Sequence, residues 1–133
     1  HMMRIMGAIA NDGVPVEPHL VSSMNGSGLG DYTAKVEKGE RMMPENVAKV
    51  LQNLLRSDVE TYYRSDMFPS EFQVCAKTGT AEVGGDKEDT GWVAGYCANP
   101  ETPYAFVVVV EEGGFGSACA APIASQLLQQ LAG

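Results

Sequence analysis

Val74-Cys75-Ala76-Lys77-Thr78-Gly79-Thr80-Ala81-Glu82-Val83 is a short apolar run with Lys-Thr-Gly-Thr set into its middle. The β-branched and small residues predict a strand from about Gln73 to Val83. Such a strand carries a cation, a hydroxyl and a bare glycine at successive positions, which suits an anionic ligand lying along a sheet edge. Lys77 supplies charge and Thr78 a hydroxyl, while Gly79 removes the side chain that would hold another backbone away. The Thr80 N–H is then free to point at a developing oxyanion. A phosphate-binding loop is the nearest rival, but it needs glycines where this chain has Glu71 and Ala76.

Two further strands are expected, from Gly91 to Ala98 and from Tyr104 to Glu112. The links Gly84-Gly85-Asp86-Lys87-Glu88-Asp89 and Asn99-Pro100-Glu101-Thr102-Pro103 are short, so both connections should be antiparallel hairpins. Trp92 and Tyr96 alternate along the middle strand and should share a face. Phe106-Val107-Val108-Val109-Val110 is apolar on both faces, which predicts a central strand and implies that a neighbour is missing.

Helices are expected around this sheet. Met2, Met3, Ile5, Met6, Ile9 and Ala10 have helical spacing that stops at Asn11-Asp12-Gly13. Pro44 suits a first helical position, and Val47, Val50, Leu51, Leu54 and Leu55 mark an apolar face, which predicts a helix from Pro44 to Arg56. Ala120, Ile123, Ala124, Leu127, Leu128 and Leu131 predict a final helix with Pro122 in its first turn. The first and last helices should cover opposite sides of the sheet. Between them, His19 to Ser23 and Tyr32 to Glu37 read as short surface strands around the loop Asn25 to Asp31. Ser57 to Glu71 carries Tyr62, Tyr63, Met67 and Phe68, aromatic and apolar surface suited to covering a sheet.

The Lys-Thr-Gly-Thr-Ala-Glu run, followed by Gly91-Trp92-Val93-Ala94-Gly95-Tyr96, Tyr104 to Glu112, Gly113-Gly114-Phe115-Gly116 and Ala120-Ala121-Pro122-Ile123-Ala124, resembles the C-terminal part of a penicillin-binding protein transpeptidase domain. Ile9-Ala10-Asn11-Asp12-Gly13-Val14 and Pro18-His19-Leu20-Val21 resemble a segment that precedes the Lys-Thr-Gly strand in that family. The expected fold is therefore α+β, an antiparallel sheet with three strands in this chain, flanked by helices and forming an incomplete part of the penicillin-binding transpeptidase fold. Residues 1–133 would be the C-terminal portion of one transpeptidase domain, with two further sheet strands supplied from the start of that domain.

The resemblance implies that Lys77, Thr78 and Gly79 bind the carboxylate of a D-Ala-D-Ala stem peptide or a β-lactam. It also implies that the Thr80 backbone N–H forms half of an oxyanion hole. The nucleophile of this family is a serine in a Ser-x-x-Lys turn, where the lysine lowers the cost of deprotonation. No serine here has that partner: Ser22 leads to Asn25, Ser57 to Glu60, Ser65 to Phe68, Ser70 to Gln73 and Ser117 to Ala120. Ser23-Met24-Asn25 spells the family's Ser-x-Asn string but follows Ile-Ala-Asn-x-Gly, whereas the family places it before. The chain alone should thus be inactive, and its parent should cross-link peptidoglycan on the extracytoplasmic face of the cell membrane. A serine β-lactamase, a β-lactam sensor and a non-catalytic binding module are the alternatives; the residues around the absent serine distinguish them.

The chain has 133 residues and a formal net charge of −8, enough for one modest domain. No basic stripe offsets phosphate repulsion, which argues against nucleic acid as a partner. No cofactor is expected, and Glu82, Asp86, Glu88 and Asp89 read as solvated charges near a hairpin tip, not as metal ligands. Cys75, Cys97 and Cys119 lack the paired spacing of a zinc site. They read as small buried hydrophobes, with a Cys75–Cys97 cross-strand disulfide as the other reading. The uncovered strand leads to one further expectation, self-association through its edge.

Overall fold

A computed structural model describes every residue except Ser27, Leu29, Arg64, Ser65 and Gly133. The part of the Asn25–Asp31 loop at Ser27 and Leu29, and Ser65, one of the serines with no lysine three places on, therefore lie outside the described residues. Along the chain run α1 (Met2–Ala10), β1 (Ser23–Met24), β2 (Tyr32–Thr33), α2 (Glu45–Tyr62), a 3-10 turn (Ser70–Phe72), β3 (Val74–Ala81), β4 (Thr90–Cys97), β5 (Ala105–Val110) and α3 (Ala120–Leu131). None of the helices among the described residues is long and apolar enough to cross a membrane.

β3, β4 and β5 form an antiparallel three-stranded sheet in chain order, as the short hairpin links require. Val74 pairs with Cys97 and Ala81 with Thr90 on one side of β4, while Gly91 pairs with Val110 and Tyr96 with Ala105 on the other. Strand alternation sends Val74, Ala76, Val93, Cys97 and Phe106 to one face, where they pack with Ala120, Ala124 and Leu128 of α3. Cys75, Ala94 and Tyr96 go to the other face and pack with Met6 and Ile9 of α1. The terminal helices thus occupy opposite faces, and Trp92 shares the α1 side with Tyr96, four residues along the strand.

Glycine makes this packing close enough at Gly95. A Cβ there would stand 2.6 Å from the Cys75 carbonyl oxygen and 2.7 Å from the Phe106 ring. Cys75 and Cys97 occupy adjacent register positions on opposite faces, so the cross-strand disulfide is excluded and all three cysteines are free. Burial pushes the Cys97 thiol up to about 11 and raises that of Cys75.

β5 is an edge strand in this chain, the position that leaves its expected neighbour missing: Val107, Val108 and Val110 are partly buried, and Val109 is exposed. Several local expectations are corrected. The His19–Ser23 and Tyr32–Glu37 strands shrink to a two-stranded ladder, Ser23–Met24 against Tyr32–Thr33. Leu20, Met24 and Tyr32 are exposed, so burial adds little to extend the pairing.

α2 runs past Arg56 to Tyr62, carried through by an Arg56–Glu60 ion pair one turn apart and by Val59 packing against the α3-side core. Its expected apolar face splits. Ala48 is buried and Leu51 and Leu55 pack on the α1-side core, whereas Val47, Val50 and Leu54 are exposed. In α3, likewise, Ala120, Ala121, Ala124 and Leu128 are buried, and Ile123, Leu127 and Leu131 face outward.

Candidate active-site wall

The free edge of β3 is the organising feature. Ala98 N–H donates to the Gln73 carbonyl at 3.3 Å, and residues that exchange hydrogen bonds with β4 recur at every second position. Gln73, Cys75, Lys77 and Gly79 therefore turn their backbone groups toward β4, whereas Val74, Ala76, Thr78 and Thr80 turn theirs outward. The outward Val74 carbonyl accepts a hydrogen bond from the Arg56 guanidinium at 3.0 Å, and the outward Thr78 carbonyl accepts one from Lys77 Nζ at 3.0 Å. The Thr80 N–H faces the open edge by the same alternation.

Burial changes sharply along the strand. Val74, Cys75 and Ala76 are buried, whereas Lys77, Gly79, Thr80 and Ala81 are exposed and Thr78 is intermediate. α2 covers the first half, with Arg56 capping the edge, and leaves the second half open. Lys77 and Thr78 line a cleft of about 530 Å³ together with Asp58, Tyr62, Tyr63, Met67 and Ser117. Asp58 Oδ2 lies 3.7 Å from Lys77 Nζ. The Tyr63 hydroxyl is buried without a formed hydrogen bond, and burial raises its pKa while the neighbouring Thr78 pulls it down.

Thr80 is set by the glycine turn after β5. Gly116 N–H donates to Thr80 Oγ1 at 3.4 Å, and a Cβ at Gly116 would run into the carbonyl oxygens of Gly79 and Trp92. Opposite it on β4, Gly91 leaves room for Cys119 and for the same turn. Gly116 is therefore needed for close approach of the turn to the strand, and Ser117 follows it into the cleft.

The structure brings Lys77, Thr78, Gly79 and Thr80 onto one exposed strand end with Lys77 and Thr78 in a cleft. Sequence reasoning missed Asp58 and Ser117. Asp58 lay beyond the expected helix end, and only the extension of α2 carries it to the strand edge. A larger groove of about 1110 Å³ lies at the far end of the sheet, beside α1 and the β4–β5 turn, and contains none of the Lys-Thr-Gly-Thr residues.

The chain matches the family model described as the penicillin binding protein transpeptidase domain over residues 1–129. It is 32% identical over 129 residues to the peptidoglycan D,D-transpeptidase PbpA of Mycolicibacterium smegmatis, covering 90% of this chain and 26% of that protein. It is 30% identical over 134 residues to PbpA of Mycobacterium tuberculosis, covering 94% of this chain and 27% of the relative. The ceftriaxone acyl-enzyme structure of penicillin-binding protein A from M. tuberculosis superposes with a TM-score of 0.82 at 29% identity, over 96% of this chain and 30% of that one. The D,D-transpeptidase domain of a peptidoglycan glycosyltransferase from Eggerthella lenta gives 0.77 at 25% identity, over 97% and 31%. The chain thus spans between a quarter and a third of the length of these relatives.

Proposed function

Because the chain belongs to the penicillin-binding protein transpeptidase domain family, we propose that it forms the C-terminal wall of the acyl-transfer site of a peptidoglycan D,D-transpeptidase. In this reading Lys77 and Thr78 hold the carboxylate of a D-Ala-D-Ala stem peptide or a β-lactam. Gly79 lets the ligand backbone approach, and the Thr80 N–H donates to the oxyanion of the tetrahedral intermediate. The attacking serine and its lysine come from the preceding part of the same domain, and the reaction takes place on the extracytoplasmic face of the membrane.

One observation carries the proposal: the Lys-Thr-Gly-Thr end of β3 is exposed, with the backbone of Thr78 and Thr80 turned to an open edge and Lys77 and Thr78 lining a cleft. A ligand lying antiparallel along that edge would exchange main-chain hydrogen bonds with Thr78 and Thr80 as an added strand does. Incubation with a fluorescent penicillin, followed by denaturing electrophoresis, tests the assignment. The complete polypeptide should retain label and the 133-residue chain should not. A labelled band from the chain alone, or none from the complete polypeptide, would overturn it.

A further inference from the structure

Lys77 is engaged within the cleft by groups of the chain itself. Its ammonium donates to the Thr78 carbonyl at 3.0 Å and stands 3.7 Å from the Asp58 carboxylate, whose side chain is 21% exposed against 59% for Lys77. Asp58 comes from α2 and Lys77 from β3, so the packing of helix on strand sets their separation. The pair has two consequences. The ammonium is drawn onto an edge carbonyl that an incoming strand would use, and a negative charge stands where a ligand carboxylate has to approach.

We propose that Asp58 is a positioning residue that tunes anion binding in this cleft: it restrains the Lys77 ammonium against the Thr78 carbonyl, and a ligand carboxylate must displace it to bind. This inference rests on the transpeptidase reading of the site and adds to it a residue that weakens recognition of the carboxylate. Removing one unit charge about 6 Å from a bound carboxylate, in the screened environment of an open cleft, strengthens binding roughly threefold to tenfold.

The test uses the complete polypeptide and two probes, benzylpenicillin and its methyl ester. Asp58→Asn should lower the apparent Kd for benzylpenicillin threefold to tenfold without changing the limiting acylation rate, on the same electrostatic grounds. Its reaction with the methyl ester, which lacks the carboxylate, should be unchanged. Asp58→Glu, which keeps the charge, should behave like the parent on both probes, and Asp58→Ser supplies a second neutral variant should the asparagine protein fold poorly. Unchanged penicillin binding in both neutral variants would overturn the proposal. An equal gain on the ester would also overturn it, because loosened packing and not charge would then be the cause. If the parent polypeptide forms no acyl-enzyme, the transpeptidase reading fails and takes this inference with it; a reactive parent with indifferent variants sinks the inference alone.

Discussion

The Arg56 guanidinium donates to the Val74 carbonyl at 3.0 Å, so a helix side chain caps the edge of the strand that carries Lys77. One turn on, Arg56 also pairs with Glu60 at 2.9 Å. Arg56→Ala removes the donor from a half-buried edge carbonyl and trims the helix ion pair. The expected cost is about 1–2 kcal/mol, or about 3–6 °C in Tm for a domain of this size. Thermal melts of the parent and variant chains would check this, with Glu60→Ala, which spares the Val74 bond, costing about 0.5 kcal/mol.

Gly95→Ala should be costly for a different reason. The new methyl would press on the Cys75 carbonyl oxygen, the Ala76 Cβ and the Phe106 ring, all 2.6–2.7 Å away. Overpacking of this kind costs about 1–3 kcal/mol. Denaturant unfolding should show a lower midpoint with the slope unchanged.

Gly116→Ala acts nearer the site. Its Cβ would collide with the Gly79 and Trp92 carbonyl oxygens, driving the turn away from Thr80. With the Thr80 N–H in its proposed role as oxyanion donor, penicillin acylation by the complete polypeptide should fall by about 10²–10³, since displacing the donor costs about as much as deleting it. The stopped-flow acylation rate is the measurement.

The thiols should respond to pH in one direction only. Burial raises Cys97 from its ordinary 9.0 to about 11, so the folded chain holds that proton where the unfolded chain has lost it. The stabilisation is complete below pH 9 and declines as the pH rises from there toward 11. Alkylation of the native chain at pH 8 should therefore modify the partly exposed Cys119 first, with Cys75 and Cys97 following only on unfolding.

β5 should mediate self-association of the isolated chain. Cys97 N–H donates to the Tyr104 carbonyl at 2.8 Å, which by alternation leaves the backbone of Ala105, Val107 and Val109 facing away from β4. None of these edge positions is charged or proline, the usual protections against pairing. Sedimentation should show concentration-dependent dimers, and Val109→Lys should shift the chain toward monomer.

Much of this architecture was legible because local signals agreed. Hairpin links, alternation along β3 and β4, and the spacing of the terminal helices each point to the same sheet with a helix on either side. What could not be read depended on tertiary partners. The apolar positions of α2 span too wide an arc for one contact, and only the folded chain shows Ala48, Leu51 and Leu55 turned inward with Val47, Val50 and Leu54 outside. The consecutive valines of β5 indicate a covered strand, yet in this chain they border solvent. At the site, Lys77, Thr78, Gly79 and Thr80 were found as one contiguous motif, whereas Asp58 reaches Lys77 from 19 positions upstream through helix packing alone.

α2 packs Leu51 and Leu55 beneath the sheet and Val59 above it, crossing the β3 edge at Arg56. The helix therefore works as a rivet through the rim of the sandwich, and the two hydrophobic layers cannot slide independently without moving Asp58 against Lys77. Breathing of the layers and readiness of the ammonium are then one motion. Amide exchange at Val59 and at Lys77, whose N–H faces β4, should accordingly share a single opening rate.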